Sequence, residues 1–138
     1  MPRDFKTNPT VNGKTLALDE DVVDVVTFAF SGAATVQAGA LRWYNDTGVT
    51  LTVMACRASA GTAPTGATLI MDFNKNGTTL FTTQGNRPAI AISGNTDKKT
   101  NMDVTTVADG DYLTADIDQI GSSVAGSNVV GQITLRKS

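Results

Sequence analysis

The chain reads as an all-β domain: an antiparallel β-sandwich, jelly-roll-like, with an extended N-terminal arm. Three observations predict it. The 138 residues are 41% hydrophobic but only 17% charged, with 13 Gly and abundant Thr and Val, a profile of short strands and turns. Segments rich in β-branched and aromatic residues recur at roughly ten-residue spacing, about nine of them. Turn dipeptides separate these segments, and no long helical periodicity runs through them. A chain of this length argues for one core, so the division is an arm over 1–20 and a sandwich over 21–138.

The elements follow in order. Met1 to Leu18 is polar and broken by Asn8-Pro9 and Asn12-Gly13. Such an arm cannot fold alone; it either crosses its own domain or grips a neighbouring subunit. Leu18, Val22, Val25 and Val26 fall at helical spacing, so one or two turns capped by Asp19 or Glu20 compete with a strand over Val25 to Phe30. Ser31-Gly32 is expected to end that strand. Ala40 to Tyr44 is a second strand. Val49 to Ser59 is a third, with Leu51, Val53, Ala55 and Arg57 on one face and Thr50, Thr52, Met54 and Cys56 on the other. Neither face is strongly polar, which predicts a central strand covered on both sides.

Thr68 to Phe73 and Thr78 to Thr83 flank Asn74-Lys75-Asn76-Gly77. Asn-Gly tolerates the positive φ angles that a short hairpin needs, so the stretch predicts a hairpin. Pro88 to Ser93 is a short strand, Gly94 to Lys99 an exposed loop, and Met102 to Val107 a strand. In Asp111 to Ile120, Tyr112, Thr114, Asp116 and Asp118 alternate with Leu113, Ala115 and Ile117, an apolar-in, polar-out pattern. Gly121 to Asn128 is a loop whose one apolar anchor is Val124, and Val129 to Arg136 closes the domain.

Composition excludes much chemistry. No His is present, which removes the commonest general base and metal ligand and every Ser-His-Asp or Cys-His arrangement. One Cys cannot build a thiolate zinc site within one chain. It also leaves no internal disulfide, and Cys56, in an apolar strand, is expected to be a buried structural thiol in a protein matured in a reducing cytoplasm. The first residues carry no apolar signal region, and no apolar run approaches the roughly 20 residues of a membrane span. A net charge of −2 offers no footprint for nucleic acid or membrane insertion. No cofactor motif is visible.

Two constellations invite chemistry. Asp72-Phe73-Asn74-Lys75-Asn76-Gly77 matches the first half of a calcium loop, but Thr83 stands where the bidentate Glu belongs, and no helices flank it. A polar hairpin tip is the better reading. Asp116 and Asp118, on one strand face, have the spacing of a glycosidase pair. Only Trp43, Tyr44 and Tyr112 are at hand as a sugar platform, and a solvated strand face is the better reading. Asn45-Asp46-Thr47 and Asn76-Gly77-Thr78 match the glycosylation pattern but carry no weight without a secretory signal.

The run GTAPTGATLIMDFNKNGTTLFTTQGNRPAIA, followed by VADGDYLTADIDQIGSSVAGSNVVGQITLR, resembles a β-sandwich module of tailed-bacteriophage structural proteins. Leu69 to Phe81, Arg87 to Ile90 and Gly110 to Ser122 carry the resemblance, with Phe30-Ser31-Gly32 and Leu41-Arg42-Trp43-Tyr44 upstream. It implies a non-enzymatic virion protein made in the bacterial host cytoplasm. The expected role is capsid decoration, with the arm binding the major capsid protein and sister subunits forming a homotrimer. The expected contact residues are Arg3, Phe5, Lys6, Pro9, Val11 and Leu16. The alternative is a small tail-tip or receptor-binding protein, with a host-surface glycan as the partner and Gly94 to Lys99 and Gly121 to Asn128 as the binding loops.

Overall fold

The computed structural model describes Thr10–Val11, Lys14–Thr15 and residues 24–138. Twelve strands lie among them: β1 (Thr10–Val11), β2 (Lys14–Thr15), β3 (Asp24–Ala33), β4 (Trp43–Tyr44), β5 (Leu51–Thr62), β6 (Leu69–Lys75), β7 (Thr78–Thr79), β8 (Ala89–Ile90), β9 (Thr96–Lys99), β10 (Thr106–Val107), β11 (Tyr112–Gln119) and β12 (Ser127–Lys137). Among the described residues, β1 and β2 pair only with each other. The helical turns considered over Leu18 to Val22 lie outside the described residues, whereas Val25 and Val26 belong to β3.

The remaining strands form two antiparallel sheets packed face to face, as expected. One runs β10-β5-β12-β3, with β9 sharing the outer edge of β5. The other runs β4-β11-β6-β7, with β8 sharing the outer edge of β6. The chain stays in one sheet only where β6 turns into β7 and β8, and where β9 leads to β10. Every other step from β3 onwards crosses to the opposite sheet, which gives the wound order of a jelly roll.

Between the sheets lie Leu51, Val53, Cys56, Ala58, Leu69, Met71, Phe73, Leu80, Phe81, Ile90, Leu113, Ile117, Ile133 and Leu135, all essentially inaccessible. Gly131 on β12 faces Phe73 and Met71 of the opposite sheet. A Cβ there would come within 2.9 Å of Phe73 Cε1 and of Met71 Cε, so the missing side chain is what lets the Phe73 ring lie against β12.

Three bulges depart from simple alternation. On β5, Thr134 faces Ala55 and Leu135 faces Val53, so Met54 has no partner and the phase flips. Leu51 and Val53 point inward, and beyond the bulge so do Cys56, Ala58 and Ala60 rather than Ala55 and Arg57. β5 is central, as expected, but its outer face is open: Met54 is exposed and Arg57 half-buried. On β3, Ser31 and Gly32 together oppose Asn128. Gly32 has φ +77°, which bends the strand without ending it, and pairing resumes at Ala33. On β11, Ile117 faces Met71 and Gln119 faces Ile70, leaving Asp118 unopposed.

The Asn-Gly hairpin forms where the sequence places it. Asn74 pairs with Thr79 and Lys75 with Thr78, around Asn76 at φ +51° and Gly77 at φ +84°. Its second strand is only two residues long because Leu80 and Phe81 turn into the core. Ala40 to Tyr44, Pro88 to Ser93 and Met102 to Val107 are likewise reduced to the two-residue strands β4, β8 and β10. Gly94 to Lys99 is not wholly a loop: Thr96–Lys99 pairs with Cys56 to Ser59 as β9.

Candidate functional site

The outer face of the β11–β6 pair carries the polar residues that the sequence marks. Register places Thr114 opposite Asn74 and Asp116 opposite Asp72. Asp116 accepts a hydrogen bond from Asn74 Nδ2 (2.8 Å) and one from the backbone N–H of Gly39 (2.9 Å). Gly39 can reach it because its backbone lies directly on β11; a Cβ there would be 1.8 Å from the Ala115 carbonyl oxygen. The neighbouring Gln37–Ile117 bridge lays the segment 34–42 across the sheet.

Asp72 is 6% exposed. It accepts from Thr79 Oγ1 at 2.7 Å and from the Phe73 N–H at 2.9 Å. Burial pushes its carboxyl above the usual range despite these donors, and the nearby Asp118 adds to the rise. Asp118, displaced by the bulge, pairs with Arg87 at 2.6 Å. The two carboxylates read as a possible glycosidase pair are thus committed to different internal partners.

The calcium-like half motif does not converge on a point. Asp72 is held by Thr79 and Asn74 by Asp116, while Asn76 pins the hairpin to β11. Asn76 Nδ2 donates to Asp111 Oδ1 (2.8 Å), and its Oδ1 accepts from the Tyr112 N–H (3.0 Å). Among the described residues no group of three or more Asp, Glu, Cys or His side chains is arranged to hold a metal ion.

The aromatics divide. Trp43 packs against the core, whereas Tyr44 and Tyr112 meet on the outer face with ring centroids 5.4 Å apart. Arg42 lies 4.4 Å above the Tyr112 ring and donates to the Tyr44 hydroxyl, an arrangement that residue types alone did not reveal. A groove of about 260 Å³ beside them is lined by Gly39, Arg42, Asn74, Tyr112, Thr114 and Asp116.

Asn45 was also missed. It is fully buried, with Nδ2 donating to the carbonyls of Val49 (2.9 Å) and Val107 (3.0 Å) and Oδ1 accepting from Thr47 Oγ1 (2.6 Å). Asn45-Asp46-Thr47 is therefore a corner brace. Cys56 is fully buried, and burial pushes its thiol strongly up, so it stays a thiol.

Among the described residues, the two sheets end side by side along β3 and β4. β3 is the edge of one sheet and β4 of the other. Between them run two grooves, of about 270 Å³ between Phe28–Ser31 and Gln37–Leu41 and about 360 Å³ between Asp24–Phe28 and Leu41–Trp43. Val25 (46%) and Leu41 (60%) are exposed there. Of the expected contact residues, Arg3, Phe5, Lys6, Pro9 and Leu16 lie outside the described residues. Val11 belongs to β1, and its side chain is not described.

Comparison with known proteins found no protein-family model and no curated protein that matches this chain.

Proposed function

We propose that this chain is a non-enzymatic structural protein of a tailed-bacteriophage virion, a capsid decoration protein that attaches through its arm (1–20) and stabilises the shell. What supports this reading is the resemblance together with its place in the fold. Leu69 to Phe81 builds β6 and β7, and Gly110 to Ser122 builds β11, so the resembling residues form the central scaffold of one sheet. The observation that carries the interfacial role is the open β3–β4 side: a long edge strand and exposed apolar side chains beginning where the arm ends. The polar outer face, by contrast, spends its carboxylates on internal hydrogen bonds. The resemblance implies a homotrimer, whereas the long edge strand β3 suits a pair of subunits.

The second reading, a tail-tip or receptor-binding protein that contacts a host glycan, is favoured by the groove beside Arg42 and Tyr112. Quantitative gel analysis of purified virions separates the two. A decoration protein is present in amounts comparable with the shell protein, a receptor binder at a small fraction of it. Deleting residues 1–20 should leave a folded domain that no longer binds virions; full-occupancy binding by that truncation, or absence of the protein from particles, overturns the proposal.

A further inference from the structure

Sheet edges are usually guarded by Lys, Pro, short length or inward charges, because an unpaired row of N–H and C=O groups templates another strand. The two edges of the β3-containing sheet differ in this respect. The far edge is formed by β9, four residues long with Lys98 and Lys99, and by two-residue β10. β3 is ten residues long, contains neither Lys nor Pro, and carries one charge, Asp24, at its first position. Among the described residues, no strand pairs with its outer edge.

We propose that β3 is a self-association edge, at which two copies of this chain pair antiparallel about a twofold axis and join their sheets into one. Residues whose N–H and C=O groups face outward alternate along the strand with those bonded to β12, and inward side chains alternate with outward ones. Both alternations demand that paired residues be separated by an even number, so the axis passes through a residue and not between two.

The register centred on Phe28 satisfies this and uses the strand up to the bent Gly32. It sets Asp24 against Gly32, Val25 against Ser31, Val26 against Phe30 and Thr27 against Ala29. Val26, Phe28 and Phe30 then extend the core face, while Val25, Thr27, Ala29 and Ser31 form the outer one. The two Asp24 carboxylates lie roughly 27 Å apart at opposite ends, about three Debye lengths at physiological ionic strength. The register therefore places no like charges opposite each other.

The occupant is a second copy because the strand complements itself in face, charge and length. Leu41 borders the paired edge, and the grooves against it receive the partner's flank. The contact is isologous and closes at two subunits.

Sedimentation equilibrium of the full chain tests it. Wild type should show twice the chain mass at high concentration. Thr27→Lys with Ala29→Lys, both exposed positions, should remain folded by circular dichroism and sediment as a monomer. A wild-type monomer throughout, a wild-type trimer, or a dimer unchanged in the double variant overturns the proposal. Cysteine pairing gives a second reading, since buried Cys56 is out of reach. Mixed Thr27→Cys and Ala29→Cys chains should cross-link at least tenfold faster than a Ser123→Cys control; equal rates overturn it.

Discussion

Asp72 and Asp116 stand directly opposite each other on β6 and β11, yet each turns its carboxylate to a separate set of donors, Thr79 and Phe73 for one and Asn74 and Gly39 for the other. Burial disfavours the charge on Asp72, the nearby Asp118 adds to that cost, and like charges directly opposite each other destabilise a sheet. A carboxyl whose folded pKa is raised stabilises the fold below its unfolded pKa, and that contribution is lost as pH rises through the folded value. Asp72→Asn, which keeps the accepting oxygen, should therefore raise stability at neutral pH by about 0.5–1 kcal/mol. Urea unfolding should show the gain vanish below the ordinary carboxylate range.

Asp111 has the opposite sign. Hydrogen bonds from Asn76 Nδ2 and the Ala108 N–H hold its carboxyl below the usual range. Its contribution is present above the unfolded pKa and lost as pH falls through the folded value. Asp111→Asn should cost up to about 1 kcal/mol at neutral pH, a small figure because the site is solvated. Unfolding at strongly acidic pH should show no difference from wild type.

The hairpin turn depends on Gly77, whose φ of +84° places an added Cβ against its own carbonyl. Gly77→Ala should destabilise by about 1–2 kcal/mol. Because the strain is confined to an exposed turn, the urea midpoint should fall with an unchanged slope.

Gly131→Ala tests the packing of β12 against Phe73 and Met71. The new methyl would press on Met71 Cε, a flexible end, and on the edge of the Phe73 ring, which is fully enclosed. Overpacking of this kind costs about 1–3 kcal/mol. Adding Phe73→Leu should recover part of the loss, a coupling that thermal melts of the single and double variants would detect.

The sequence revealed most of the fold because its strongest signals are local. Asn76-Gly77 states its turn through backbone preference, and Tyr112 to Ile117 states its faces by alternation. What stayed hidden depends on partners far along the chain. The bulge at Met54 is visible only against Thr134 and Leu135, and the polar segment Thr96–Lys99 becomes a strand only because β5 offers it an edge. The outer face was half legible. Asp72, Asn74 and Asp116 were singled out as residues, but Gly39's backbone donor and the Arg42–Tyr112 stack come from a segment that approaches only in the folded chain.

Self-association through β3 is tested most directly by residue-resolved amide hydrogen exchange of the full chain across a range of concentrations. In a single subunit, every second amide of β3 faces outward and exchanges rapidly. Pairing at β3 predicts that these alternate amides between Val25 and Ser31 become protected as concentration rises, while those bonded to β12 change little. Fast exchange of the alternate amides at every concentration would contradict it.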